Sequence, residues 1–319
     1  MDRQRAFGLA LVLVSACAFG SGALFAKPVY ATGVGWVTLS TWRFALGAAL
    51  AWAWLLLVPG RRAALATIDR RGIAIAVGLG VLYTGNSGTY YAGLESVPVS
   101  LAALIVYVYP AIVAVLTFRF GRRLEGTRAW LALGLALLGV ALAVGGIDPS
   151  AVPPAAGILL ISASPVIYAL WIVLVARLSG ERREGVGHEA GGGADAAAVG
   201  AIMLTATAAT YGVISMVTGS PVAPDRIPAG AWFGLIGIGV ISTFVAVQGF
   251  YAGARRIGAA QAALVSTIEP IYTVALAALL LGERLQPVQL VGGVMIIGGV
   301  LLAQARASAD MPSLRLADE

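Results

Sequence analysis

The sequence predicts an all-α membrane protein, with ten transmembrane helices arranged as two inverted five-helix repeats. Three observations carry that expectation. The 319 residues are 59% hydrophobic and only 11% charged, with mean hydropathy +0.90, whereas a soluble domain carries about 25% charged residues. The apolar residues gather into ten runs, each close to the ~20 residues that a helix needs to cross the hydrocarbon core. Finally, Tyr91, Ala92, Gly93, Ala102, Ala103, Leu104, Pro110 and Leu116 reappear identically 160 residues later, from Tyr251 to Leu276.

The runs fall at residues 7–26, 36–58, 72–92, 100–118, 129–147, 155–176, 196–217, 230–252, 260–281 and 288–304. Lipid offers no partners to backbone N–H and C=O groups, so segments this apolar close their bonds internally as helices. They lack the alternation of barrel strands. Five spans per copy is an odd number, so the second copy enters the membrane from the opposite side. The expected units are a first repeat at 6–147, a second at 155–304 and a cytoplasmic tail at 305–319. The connection 148–154 is rich in proline and small residues, and 179–195, rich in glycine and charge, reads as a flexible cytoplasmic linker. None of these segments has enough apolar sequence for a soluble domain. Activity is therefore expected within the lipid bilayer, and no obligate protein partner is evident.

Orientation follows from the basic residues, which stay on the cytoplasmic side when they lie in short loops. With the N-terminus inside, seventeen of the 21 Lys and Arg residues are cytoplasmic, Lys27, Arg226 and Arg284 are external, and Arg43 is within a span. The chain is thus expected to be a multi-pass protein of the cell inner (plasma) membrane with both termini cytoplasmic. The formal charge of +6 is then a topology signal, and no nucleic-acid partner is expected. The single cysteine, Cys17, excludes an internal disulfide. Val14–Cys17 resembles a lipoprotein signal, but the run stays apolar through Phe25, so a small residue packed in the first helix is expected rather than cleavage.

Two ionisable residues stand inside apolar runs. Glu269 is near the middle of the ninth, where an ionised carboxylate facing lipid would cost roughly 2.5–3.5 kcal/mol or more, so it is expected to face the bundle interior. Pro270 follows it and mirrors Pro110 in the first copy. Both are expected to be kink or hinge points, leaving carbonyls near Ser266 free for a substrate, an ion or water. Arg43, in the second run, reads as a ligand for an anionic group or as an anchor at the outer interface. A direct pair with Glu269 would be strained by a depth difference of roughly 7–8 Å.

Tyr83, Asn86 and Tyr109 in the first copy and Gln248 in the second lie deep enough to line a cavity for a small amphipathic solute. Trp171 and Tyr168 are weaker candidates for the same wall. Tyr90 and Tyr91, near a span end, fit either the cavity or an interfacial belt. Gly230 with Gly234, and Gly249 with Gly253, read as helix-packing sites.

Other classes fit less well. Gly85–Gly88 matches the GxSG pattern of intramembrane serine proteases, but the only histidine, His188, is in the linker, out of reach of Ser87. No metal cluster, P-loop or dinucleotide fingerprint is present in the sequence. A non-enzyme without cofactor or metal is expected. A passive channel remains an alternative, separated from a carrier by counterflow.

The order and spacing of Arg43, Phe44, then Glu269, Pro270, the stretch Leu281–Leu285 and Gly298, Gly299 resemble the EamA family of the drug/metabolite transporter superfamily over about residues 6–304. Phe19, Gly20 stands where such families often show Trp, Gly. The first-copy turn carries Gly121, Arg122, Arg123 where the second has Gly282, Glu283, Arg284. The resemblance implies a secondary transporter, often an exporter, of small metabolites such as amino acids; relatives carry sugars, nucleotide precursors or drugs. The small-molecule substrate is expected between the halves, with protons as a coupling ion carried by Glu269 and alternating access by rocking of one half against the other.

Overall fold

The computed structural model describes residues 3–58, 62, 68–118, 126–145, 152–178, 196–257, 262 and 265–304. His188, the linker at 179–195, the tail at 305–319 and several of the basic residues that set the expected orientation lie outside them.

The first copy begins with α1 (Arg3–Gly20) and α2 (Gly22–Ala31), followed by α3 (Trp36–Leu57) and α4 (Arg70–Leu94). Then come α5 (Val99–Val106), α6 (Tyr109–Phe118) and α7 (Gly126–Gly145). The second contains α8 (Ala155–Leu178), α9 (Ala196–Thr218), α10 (Trp232–Gly239) and a π-helical turn (Val240–Val245). It ends with α11 (Ala246–Ile257), α12 (Ile268–Leu281) and α13 (Pro287–Gln304). Among the described residues, five helices are long and apolar enough to cross a membrane: Arg3–Ala31, Trp36–Leu57, Ala155–Leu174, Ala197–Thr218 and Ala229–Ala254. Shorter apolar helices cover Val99–Val113, Trp130–Ala143, Ile268–Leu281 and Pro287–Leu302.

Side chains show why these segments suit lipid. Met216 is 83% exposed and Leu279 77%, a cost in water but not against acyl chains. Helix ends are closed by local chemistry. Asp69 caps α4, its Oδ1 accepting from the Gly72 amide at 2.8 Å. Gly282 ends α12 with φ +69°, a conformation that glycine adopts without strain.

The packing pairs survive exchange of the two copies. Helix α4 packs on α8 as α11 packs on α1; α9 packs on α4 as α10 packs on α3; α8 packs on α6 as α1 packs on α12. The pairs α3 with α9, α5 with α12 and α7 with α13 map onto themselves. Small residues make the closest of these approaches possible, since backbones draw near where no side chain intervenes. A Cβ on Gly139 of α7 would lie 2.5 Å from the Gly292 carbonyl of α13, and one on Gly299 would lie 2.7 Å from that of Ala132. The expected glycine contacts of the eighth run also form. A Cβ on Gly234 would meet Val29 at 2.5 Å, and one on Gly253 would meet Val12 at 2.5 Å.

The broken runs carry the main differences from the expectation. The fourth is interrupted at Tyr107 and Val108 and the ninth at Thr267. Pro110 and Pro270 fall in the first turn of α6 and α12, where the missing N–H costs nothing. The prolines therefore start new helices after a break, rather than kinking continuous ones.

The α7–α13 contact gives a matched test. Gly139→Val is expected to lower the melting temperature in detergent by the equivalent of about 1–3 kcal/mol of overpacking. Gly134→Val on the same helix, where a Cβ meets nothing within 4 Å, is expected to leave it within a degree or so.

Candidate functional site

Helices α3 and α9 bring together the first part of the site. The Phe44 ring stacks on Tyr211, centres 5.5 Å apart and planes 6° apart. The Tyr211 hydroxyl donates to the Thr84 carbonyl at 3.1 Å and shares a 2.7 Å hydrogen bond with Ser87 Oγ. Ser87 thus sits in a structural hydroxyl pair joining α4 to α9. Asn86 has a similar task, accepting at Oδ1 from Ser164 Oγ of α8 at 2.8 Å.

Arg43 is 7% exposed and lies where the copies meet. Its Nε donates to Thr243 Oγ1 of the π turn at 2.8 Å. Its Cζ lies 5.0 Å from the Phe44 ring centre and 4.8 Å from that of Tyr91, so aromatic faces replace part of its lost hydration. Thr243 is its one hydrogen-bond acceptor among the described residues, which leaves both terminal nitrogens for another group. No ion pair with Glu269 forms.

Glu269 is half-buried in the first turn of α12. Its carboxyl lies within electrostatic reach of the Cys17 thiol and of the hydroxyls of Tyr83, Tyr90, Tyr91, Tyr107 and Tyr109. Arg43 acts electrostatically on Tyr83, Tyr90 and Tyr91 as well, and its guanidinium lies over the Tyr91 ring. The Glu269 side chain is partly buried, where an ionised carboxylate turned to lipid would carry a high cost. The carbonyl expected to be free near it is occupied: Tyr107 Oη donates to Ser266 O at 2.8 Å. The first copy thereby satisfies the backbone opened by the break in the second.

An aromatic wall runs from α4 to α8 and α6. Tyr83 lies 5.2 Å from Trp171 and 6.3 Å from Tyr168, Tyr168 stacks on Trp171 at 5.8 Å, and Tyr109 meets Tyr168 edge-on at 4.7 Å. Phe44 joins Tyr83 at 6.0 Å. The indole of Trp171 donates to the Leu79 carbonyl at 2.9 Å, fixing the wall to α4. Arg43, Tyr83, Tyr109, Trp171 and Glu269 therefore belong to one region. Asn86 is tied into a helix contact. Gln248 is half-buried on α11, and no hydrogen bond or ring contact joins it to the others among the described residues. Thr243 and Tyr211 were not singled out from sequence, because a lone hydroxyl in an apolar run has no pattern to mark it.

A second set of charges holds this region in place. Lys27 Nζ of α2 donates to the carbonyls of Leu94 and Val97 at 2.7 and 2.8 Å, closing the end of α4. The Glu283 carboxylate accepts from the amides of Val99 and Ser100, both at 2.7 Å, capping α5. The turn between α4 and α5 is thus clamped by opposite charges from both copies.

A multi-pass helical membrane protein with a charged, aromatic-lined interior between two similar halves is the class that this fold and site define. The chain belongs to the EamA-like transporter family, which matches residues 6–145 and again 155–304. It is a transporter of the drug/metabolite type rather than an enzyme by family. It is 29% identical to an uncharacterized transporter of Archaeoglobus fulgidus, over 71% of this chain and 75% of that one. It is 26% identical to the uncharacterized transporter YcbK of Bacillus subtilis, over 91% and 90%. A solved crystal structure with 17% identity covers 95% of this chain and 98% of its own at a TM-score of 0.65, which shows a shared fold.

The Tyr107 contact can be tested against a matched neighbour. Tyr107→Phe strands the Ser266 carbonyl and is expected to cost about 1–3 kcal/mol, read as a lower melting temperature. Tyr109→Phe, whose hydroxyl makes no hydrogen bond among the described residues, is expected to change it little.

Proposed function

We propose that the chain is a secondary active carrier that moves a small metabolite by alternating access, exporting amino acids or related amphipathic solutes. The observation that carries this reading is the buried Arg43, whose one hydrogen-bond acceptor among the described residues is at Nε, with none at its two terminal nitrogens among those residues. A buried guanidinium in that condition is stabilised by an oxyanion, and a carboxylate matches its fork. Glu269, which shares the same tyrosine hydroxyls electrostatically, then suits the ammonium end of a zwitterion or a proton. The wall of Tyr83, Tyr109, Tyr168 and Trp171 receives an apolar side chain.

Ten spans in two inverted repeats are the proposed frame, supported by the packing pairs that survive exchange of the copies. The breaks ahead of Pro110 and Pro270 are the proposed flexing points as the halves rock. The basic-residue distribution supports an inner-membrane location with cytoplasmic termini. A carboxyl can take up and release a proton within the bilayer, so Glu269 is the proposed coupling group.

The test is counterflow into proteoliposomes with a panel of amino acids, sugars, nucleosides and cationic drugs. Saturable uptake of an amino acid, accelerated by the same solute inside, is expected; uptake without acceleration indicates a channel, and preference for a sugar or drug moves the substrate class. Arg43→Ala is expected to raise half-saturation for a carboxylate solute at least tenfold, the size of one lost charged hydrogen bond or more. Glu269→Gln is expected to abolish acceleration by an imposed proton gradient while counterflow persists. Wild-type behaviour of both variants would remove these residues from the site.

A further inference from the structure

The eighth apolar run is not a continuous α-helix. Six residues, Val240–Val245, wind as a π-helix between α10 and α11. Such wide turns are rare and concentrate at functional sites. Thr243, 2% exposed, is the residue that this turn presents to the first copy. Its hydroxyl donates to the Ile238 carbonyl five residues back at 3.0 Å and accepts from Arg43 Nε at 2.8 Å. With its one proton committed to the backbone, the oxygen can only accept from Arg43.

Two glycines bring α3 against the turn. A Cβ on Gly47 would lie 2.6 Å from Thr243 Cγ2, and one on Gly239 would lie 2.8 Å from Leu46 Cβ and 3.4 Å from the Arg43 carbonyl. The threonine is therefore held from three sides: its own backbone, the Arg43 side chain and the Gly47 surface. Among the described residues, the first copy has no such device. Residue 83, at the repeat offset from 243, lies inside the continuous helix Arg70–Leu94, and the position matching Arg43 is Met203. The wide turn occurs in the copy that meets the arginine.

We propose that Thr243 is a positioning residue for Arg43, and that the π turn exists to place its hydroxyl on Nε. The consequence is chemical. A guanidinium binds an oxyanion either through Nε and one terminal nitrogen or through both terminal nitrogens. Thr243 occupies Nε, so the site takes a carboxylate head-on, through the terminal pair alone. This selects a planar oxyanion arriving along the axis of the side chain between Phe44 and Tyr91. The inference rests on reading Arg43 as the anion-binding group, and its test is independent of any cargo.

The test is exchange of the Arg43 Nε–H with water, followed by nitrogen-15 NMR of arginine-labelled full-length protein in lipid nanodiscs, the signal being assigned by its loss in Arg43→Lys. Slow exchange is expected in the wild type, faster by about tenfold or more in Thr243→Val, as for loss of one hydrogen bond to a charged group, and slow again in Thr243→Ser. Thr243→Cys, which also lacks a strong acceptor, gives the same reading if the valine variant does not fold. Equal exchange in wild type and Thr243→Val overturns the proposal, as does a folded Thr243→Ser that fails to restore slow exchange. The underlying reading fails separately: benzoate, as the smallest aromatic carboxylate, bound no better by the wild type than by Arg43→Lys would remove the anion site and leave the hydrogen-bond result standing.

Discussion

A hydrocarbon environment supplies no hydrogen-bond partners, and that single deficit organises this molecule. Every backbone group that a helix break exposes has to be met by another part of the protein. Tyr107 meets Ser266 across the copies; Lys27 meets Leu94 and Val97; Glu283 meets Val99 and Ser100. Tyr107 and Glu283 do so from the opposite copy, and Lys27 from its own. These bonds join the halves alongside helix packing between the copies and close glycine contacts such as Gly139 with Gly292.

The same deficit separates the charged residues by role. Glu283 and Lys27 are fully engaged with helix ends, where their charge opposes the helix dipole and closes the last backbone groups. Arg43 and Glu269 are not. Arg43 is held at one nitrogen and sandwiched by rings, and Glu269 looks onto tyrosines without a cationic partner among the described residues. Charges used for architecture bond helix ends, and charges left incompletely paired in the interior are those available to a solute. The aromatic wall between them is also fixed by ordinary bonds, above all the indole of Trp171 on Leu79, so its shape does not depend on cargo.

Pro110 and Pro270, read from sequence as kink points, fall in the first turns of helices that begin after a break. Proline's missing N–H is visible in a sequence, so the two interruptions at matching places were legible. Whether proline kinks a helix or begins one depends on what the preceding residues bond to, and ahead of Pro270 the Ser266 carbonyl bonds Tyr107 of another span. The GxSG segment shows the converse. Its serine lacks a base within reach already in the sequence, and in three dimensions it pairs with Tyr211.

Composition and hydropathy alone determined that this chain is helical and built for lipid, because burial of backbone polarity leaves no other solution. The duplicated residues at a constant offset determined that its architecture repeats, and the lone ionisable groups, Arg43 and Glu269, determined where an interior site was to be sought. Only the tertiary structure decided how those groups are used: that Arg43 turns to Thr243 instead of Glu269, that Asn86 bonds Ser164 of a neighbouring helix, and that a π turn stands opposite the arginine. Hydrogen bonds between residues 200 positions apart depend on how helices rotate and slide against one another. That is set by side-chain fit over whole faces, which no local pattern of residues encodes.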